Sequence, residues 1–245
     1  MRSIDGCVAL VTGSSSGIGA AVARRLAAAG AVVVVNSRSS AETGRAVAAE
    51  VGGTYLQADV SDPEAACGLV EAVVAAHGRL DILVNNAGTT EVIAHGDLEA
   101  ATPEIWMRLY ATNVIAPFVL TTAARPALSA APEGGVVVNI GSLAGIRPTG
   151  SSIPYAASKA ALHHQTRLLA GTLAPAVRVN AVAPGLVDTP WTADWAAAHE
   201  SVRTGTPMKR VAVPDDVADL VLAQITSPLV TGEVWVVDSG LGLVR

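Results

Sequence analysis

Short apolar runs of strand length alternate with longer stretches of helix formers along most of the chain. Residues 7–11 form the first apolar run. Residues 31–36 form the second and carry four consecutive valines. An apolar run without polar alternation is expected of a strand covered on both faces. Residues 54–58, 80–84, 135–140, 177–182 and 233–237 read as further strands. Residues 20–29, 41–51 and 62–77 read as helices, with Gly30 as a stop after the first. Asp62-Pro63-Glu64 places an acid and a proline where a helix start favours them. Thr102-Pro103-Glu104 opens a long helix, a further helix begins near Tyr155, and Pro214-Asp215-Asp216 heads the last. Strands and helices alternating at these lengths predict right-handed βαβ units and a parallel sheet. Residues 186–206 have no clear period and read as a mobile flap.

Composition narrows the class. The chain has 245 residues, about half of them hydrophobic, and no long polar tract, so a sizeable core is expected and disorder is not. No linker, repeat or composition shift marks a second unit, so residues 1–245 read as one domain. A net charge of −5 and no basic cluster longer than Arg24-Arg25 argue against a nucleic-acid partner. Cys7 and Cys67 lack metal-ligand or Cys-x-x-Cys spacing and read as free thiols in a reducing compartment. The first residues run straight into the first strand without a signal-peptide pattern. No apolar stretch is long enough to span a bilayer. A cytoplasmic protein without a metal or membrane partner is expected.

The first strand ends in Thr12-Gly13-Ser14-Ser15-Ser16-Gly17-Ile18-Gly19, and a helical run follows. Strand, glycine-rich turn and helix is the context that a dinucleotide fingerprint needs. Glycines let the backbone approach a pyrophosphate, and the helix start offers free N–H groups and a positive dipole end. The spacing is Gly-x-x-x-Gly-x-Gly rather than the commoner Gly-x-Gly-x-x-Gly.

A second constellation lies further on. Tyr155 and Lys159 stand four residues apart at the start of a helix, so they share one face. An ammonium beside a phenol favours the phenolate, which would let the tyrosine exchange a proton near neutral pH. Only two lysines occur, Lys159 and Lys209, so a chain that otherwise uses arginine has placed a lysine here. Ser142 lies thirteen residues before Tyr155, at the end of an expected strand, where its hydroxyl could reach the same point. Asn113 falls inside the helix that opens at Thr102, and Pro117 has no N–H for its carbonyl. That carbonyl is then free to hold a water. A tolerated kink with a solvated amide is the plain alternative.

Together these pieces resemble the short-chain dehydrogenase/reductase family over essentially the whole chain. The matching residues are Thr12-Gly13-x-x-x-Gly17-Ile18-Gly19, Asp59-Val60, Asn85-Asn86-Ala87-Gly88, Asn113, Ser142, Tyr155-x-x-x-Lys159, Pro184-Gly185 and Thr189. The resemblance implies a Rossmann-like, doubly wound α/β fold, with a seven-stranded parallel sheet and helices on both faces. It implies a nicotinamide dinucleotide at the C-terminal strand ends. It makes Tyr155 the acid that protonates a carbonyl, or the base in alcohol oxidation. Lys159 would depress the tyrosine pKa and bond the nicotinamide ribose, Ser142 would polarise the carbonyl, and Asn113 would hold a water linking Lys159 to solvent. Gly13, Ser15, Ser16, Gly17, Ile18 and Gly19 would line the pyrophosphate turn. Ser37, Arg38, Asp59 and Val60 would meet the adenosine end, with Asn86, Ala87 and Gly88 along the ribose. Pro184, Gly185, Val187 and Thr189 would meet the nicotinamide. A homotetramer built on the long helices and the last strand is also implied.

The charge pattern bears on which dinucleotide binds. An acid at the end of the second strand would accept the ribose hydroxyls and repel a 2′-phosphate. This chain has Asn36-Ser37-Arg38 there, and Arg38 can make a charge-assisted bond to phosphate. NADP(H) is therefore expected over NAD(H). If Arg38 is only a solvated loop residue, both bind. The substrate pocket is expected from Thr89 to Val92, from Leu143 to Gly145, and from the flap with Trp191 and Trp195. These are mostly apolar positions, and they suit a small apolar ketone or secondary alcohol. A 3-oxoacyl-[acyl-carrier-protein] reductase is the alternative, but residues 129–138 and 172–177 carry no Lys or Arg to steer an acidic carrier. A non-catalytic dinucleotide sensor or scaffold is the reading from a different class. It has no need for Tyr155, Lys159 and Ser142 together.

Overall fold

The computed structural model describes residues 2–244. The strands are β1 (Val8–Val11), β2 (Val32–Ser37), β3 (Thr54–Gln57), β4 (Ile82–Asn85), β5 (Gly135–Ile140), β6 (Val177–Pro184) and β7 (Val234–Val237). They form one parallel sheet in the order β3-β2-β1-β4-β5-β6-β7. The order reverses between β1 and β4, which opens a crevice beyond their C-terminal ends, the usual ligand site of an open α/β sheet.

The helices are α1 (Gly17–Ala28), α2 (Ala41–Glu50), α3 (Pro63–His77), α4 (Pro103–Tyr110), α5 (Ala116–Ser129), α6 (Ile153–Leu173), α7 (Ala196–Gly205) and α8 (Pro214–Thr226). Successive side chains of a strand point to opposite faces, so each strand feeds two cores. Ala9, Val11, Val33, Val35, Ile82 and Val84 meet α1, α2 and α8 on one face. Val8, Leu10, Val34, Leu83, Val137 and Val179 meet α3 and α5, with Ala170 of α6, on the other. Leu10, Leu26, Leu83 and Leu120 are fully buried, each contributing about 1.5–3 kcal/mol by leaving water.

Two expectations change. The helix opening at Thr102 is not continuous: α4 and α5 are joined by a π-helical turn, Ala111–Ile115, which contains Asn113. Pro117 cannot donate to the Asn113 carbonyl, so the regular bonding is interrupted where the proline demands it. Residues 186–206 are also more regular than their pattern suggested. A 3₁₀ turn, Pro190–Thr192, is followed by α7, and only His199 and Val202 of that helix are buried. A helix lying on a surface with so narrow a buried stripe leaves little period to read. Elsewhere the expected strands and helices fall within a few residues of the observed ones. β6 runs two residues past its expected end, to Pro184.

Candidate active site

The C-terminal strand ends surround a cavity of about 790 Å³, within the usual range for a small-molecule site. Its floor begins at the glycine turn. Gly13 has φ +61°, and a Cβ there would lie 2.9 Å from the Ala87 α-carbon. A Cβ on Gly19 would overlap the Asn86 amide nitrogen and the Gly13 carbonyl. Only glycine fits at either position. The Asn86 side chain is what comes so close. Its amide donates to the carbonyls of Thr12 and Gly13, both at 2.9 Å, and braces the turn. The Ser16 side chain makes no capping bond, and the first turn of α1 carries no acid. The leading N–H groups and positive end of a twelve-residue helix are thus left for an anion. These features fit a dinucleotide pyrophosphate.

The adenosine end is set by β2 and β3. Asn36 is buried, and its amide donates to Leu56 and Ala58 carbonyls. Ser37 lines the cavity, but its hydroxyl bonds Tyr55 at 2.9 Å. Arg38 follows with its side chain 70% exposed and one guanidinium nitrogen 3.9 Å from Asp59. Asp59 also accepts from the Ser61 hydroxyl and N–H. A solvated cation at the cavity edge is what a phosphate could recruit.

At the other end, Ser142 stands at the N-cap of a 3₁₀ turn, Leu143–Gly145, and accepts from the Ala144 N–H at 3.1 Å. Ser152 caps α6 by accepting from the Tyr155 N–H, which sets where that helix begins. Tyr155 stands one turn before Lys159 and lines the same cavity as Ser142. Lys159 is buried, and its ammonium donates to the Ile140 carbonyl at 2.9 Å. Burial lowers its pKa to about 8, so the cation persists at neutral pH. The expected depression of the phenol by Lys159 is not found. Burial raises the Tyr155 pKa, and the neighbouring Ser142 hydroxyl is the influence that lowers it. Lys159 lies 5.8 Å from the phenol ring centroid and gives one of its three N–H bonds to Ile140.

Asn113 is buried outside the cavity lining. Its amide exchanges bonds with Thr89 in both directions, at 2.9 Å, and donates to Ser158 at 3.0 Å. The side chain therefore locks the π turn to α6. Gly88 separates it from the lysine: a Cβ there would sit 3.5 Å from the Asn113 amide oxygen and 3.6 Å from the Lys159 nitrogen.

The remaining assigned cofactor residues, Ser15, Ile18, Val60, Pro184, Gly185, Val187 and Thr189, all line the cavity. Thr189 also lies over the glycine turn, 3.5 Å from where a Gly17 Cβ would stand. Its segment is knit by Thr192, which donates to the Val187 carbonyl at 2.6 Å and meets buried His199 at 3.3 Å. Leu143, Trp191 and Trp195 line the substrate half as expected. Gly145 does not: a Cβ there would strike the backbone of α6 at Lys159 and Ala160, so this glycine permits close packing behind the site. The lining also includes Thr149–Ser151, Val202 of α7, and Leu241, which the sequence reading missed. No periodicity pointed to them, because loops and a half-exposed helix bring them there. Among the described residues there is no cluster of side chains suited to a metal ion, and no helix long and apolar enough to cross a membrane.

Comparison with known proteins agrees with this arrangement. A family model described as enoyl-(acyl carrier protein) reductase matches residues 13–242. A relative from Streptomyces violaceoruber, named as the candidate ketoacyl reductase 2 of the granaticin polyketide synthase, is 53% identical over 241 residues. The match covers 97% of this chain and 96% of the relative. The 3beta-hydroxysteroid dehydrogenase 1 of Eggerthella lenta is 39% identical, covering 98% of this chain and 95% of its own. A short-chain dehydrogenase from Burkholderia cenocepacia, solved in complex with NADP, superposes with a TM-score of 0.89. It is 38% identical and covers 98% of this chain and 99% of its own.

Proposed function

The chain belongs to the short-chain dehydrogenase/reductase family of oxidoreductases that act on CH–OH and C=O groups, and on that premise we propose that it is an NADP(H)-dependent ketone reductase with Tyr155 as its proton donor. The carrying observation is the meeting of Ser142, Tyr155 and Lys159 at one end of a cavity whose other end is a glycine-lined anion cradle. Gly13, Gly17, Ile18 and the α1 N-terminus would hold the pyrophosphate, Arg38 a 2′-phosphate, and Asp59 with Val60 the adenine. Lys159 would bond the nicotinamide ribose, and Val187 with Thr189 the carboxamide. The nicotinamide, when bound, supplies the hydride.

This chain's residues handle the proton and the oxygen. The Ser142 hydroxyl donates to the substrate carbonyl oxygen and polarises it. Tyr155 gives its phenolic proton to the same oxygen as negative charge builds there. A phenol carries its proton at neutral pH, and burial moves the Tyr155 pKa further up. Lys159 stays cationic one turn away, available to bond the nicotinamide ribose. Asn113, whose carbonyl receives no N–H from Pro117, would hold a water to resupply the proton.

Val92, Leu143, Leu186, Trp191 and Trp195 give the substrate half an apolar wall. With the Streptomyces relative at 53% identity, the favoured substrate is a keto group on an apolar polyketide-type chain. A steroid-like ketone is the second reading, favoured by the Eggerthella relative. We place the protein in the cytoplasm, since Cys7 and Cys67 are free thiols. We also take it to form a homotetramer, since Met107 and Phe118 on α4 and α5 and Leu168 on α6 are exposed apolar residues. Light scattering of the purified protein tests the assembly.

The activity test follows NADPH oxidation with a 3-oxoacyl thioester, a fused-ring ketone and a steroid ketone. Wild type should reduce at least one of them. Tyr155→Phe should lose about 10²–10⁴-fold in kcat while binding NADPH normally. A Tyr155→Phe enzyme as fast as wild type would remove the tyrosine from the chemistry. A wild type that binds NADPH but reduces none of the three would return the sensor reading to the front.

A further inference from the structure

His163 stands on α6 one turn beyond Lys159, only 3% exposed, and takes no part in the chemistry above. Its ring occupies space that two glycines leave. A Cβ on Gly141 would run into Nε2, and a Cβ on Gly145 would lie 2.8 Å from Cε1. Nε2 accepts the backbone N–H of Ser142 at 3.4 Å. That bond needs a bare lone pair on Nε2, so the ring proton belongs on Nδ1. Burial, helped by the positive charges of Lys159 and Arg167, lowers the ring's pKa to about 4 and keeps it neutral.

Lys159 and His163 thus hold alternate residues of one strand end. The first donates to the Ile140 carbonyl, the second accepts from Ser142, and Gly141 lies between. An aliphatic side chain could fill the same space, but it would leave the Ser142 N–H without this acceptor. We infer that His163 is a positioning residue, which fixes the Ser142 backbone against α6 and so sets the hydroxyl of Ser142 against Tyr155. The inference rests on the ketone-reductase reading, because it matters to the reaction only if Ser142 and Tyr155 act on a carbonyl.

The test compares His163→Leu and His163→Gln with wild type in NADPH-dependent reduction, with NADPH affinity and thermal unfolding measured alongside. His163→Leu should lower kcat about tenfold or more, with NADPH affinity within about twofold of wild type. It should also move the Tyr155 limb of the pH–rate profile upward, since the Ser142 hydroxyl is what lowers that group. His163→Gln, whose amide oxygen can accept the same N–H, should recover most of the rate. A folded His163→Leu enzyme with unchanged kcat and pH limb overturns the proposal. If the leucine variant does not fold, the imidazole nitrogen shifts of wild type decide. A neutral ring protonated on Nδ1 at pH 7 supports the placement, and one protonated on Nε2 overturns it. A wild type without ketone reduction would instead sink the functional reading, while the ring tautomer would still report on the geometry.

Discussion

The Lys159 ammonium donates to the carbonyl oxygen of Ile140 at 2.9 Å, two residues before Ser142. The bond ties the proton-transfer helix to the strand that carries the serine. It also holds a cation in a buried place, at a cost visible in the lowered pKa of about 8.

Replacing Lys159 should therefore separate activity from stability. The folded pKa lies below the unfolded value of about 10.4, so the penalty is fully present below pH 8 and fades as pH rises towards 10.4. The cost is about 3 kcal/mol at most. Lys159→Met should lose about 10²-fold or more in kcat, yet match or exceed wild type in thermal stability at pH 7. A strong loss of stability, measured by urea unfolding, would contradict this account.

Among the described residues that line the cavity, Arg38 is the only cation at the adenosine end. A charge-assisted bond to phosphate is worth about 1.5–3 kcal/mol, so Arg38→Ala should weaken NADPH binding about 10- to 100-fold. NADH binding should hardly change. Fluorescence titration of both cofactors on both proteins checks it. Tighter NADH than NADPH binding by wild type would end the assignment of Arg38 as a phosphate reader.

Gly19 faces the Asn86 amide with no room for a methyl group. Gly19→Ala should displace Asn86, free the Thr12 and Gly13 carbonyls from it, and deform the turn. Loss of about 10-fold or more in affinity for either dinucleotide is expected, with the fold kept. Isothermal titration shows it, and unchanged affinity would mean that the turn can yield.

The pH dependence of stability should carry the mark of His163. Its folded pKa of about 4 lies below its ordinary 6.5, so the folded protein binds fewer protons in between. Stability from this residue is intact above pH 6.5 and falls by up to about 3 kcal/mol as pH drops towards 4. His163→Gln lacks that loss, so its stability should decline less steeply over the same window. Urea midpoints at several pH values give the comparison, and parallel declines would refute it.

Much of this protein could be read directly from its residues. The valine runs of β2 and β5, the helix starts at Asp62, Thr102 and Pro214, and the glycine turn are local signals. Each depends on neighbours a few positions away, through burial on both faces, capping or backbone freedom. The spacing of Tyr155 and Lys159 is of the same kind, because one helical turn brings them to one face. Gly145 shows the limit. Its place beside Ser142 suggested substrate contact, but α6 packs against it from behind. The flap shows it too, since α7 buries so little that its period is faint.

What the sequence by itself determined was the order of elements, the residues at the strand ends and a glycine turn suited to a dinucleotide, since each follows from short-range pattern and chemistry. The tertiary structure alone decided how those residues spend their bonds. Folding turned Asn86 onto the glycine turn, closed Asn113 onto Thr89 and Ser158, aimed Lys159 at Ile140 and raised the Tyr155 pKa by burial. Hydrogen bonds and desolvation depend on groups far apart in the chain, and they have no local signature to read.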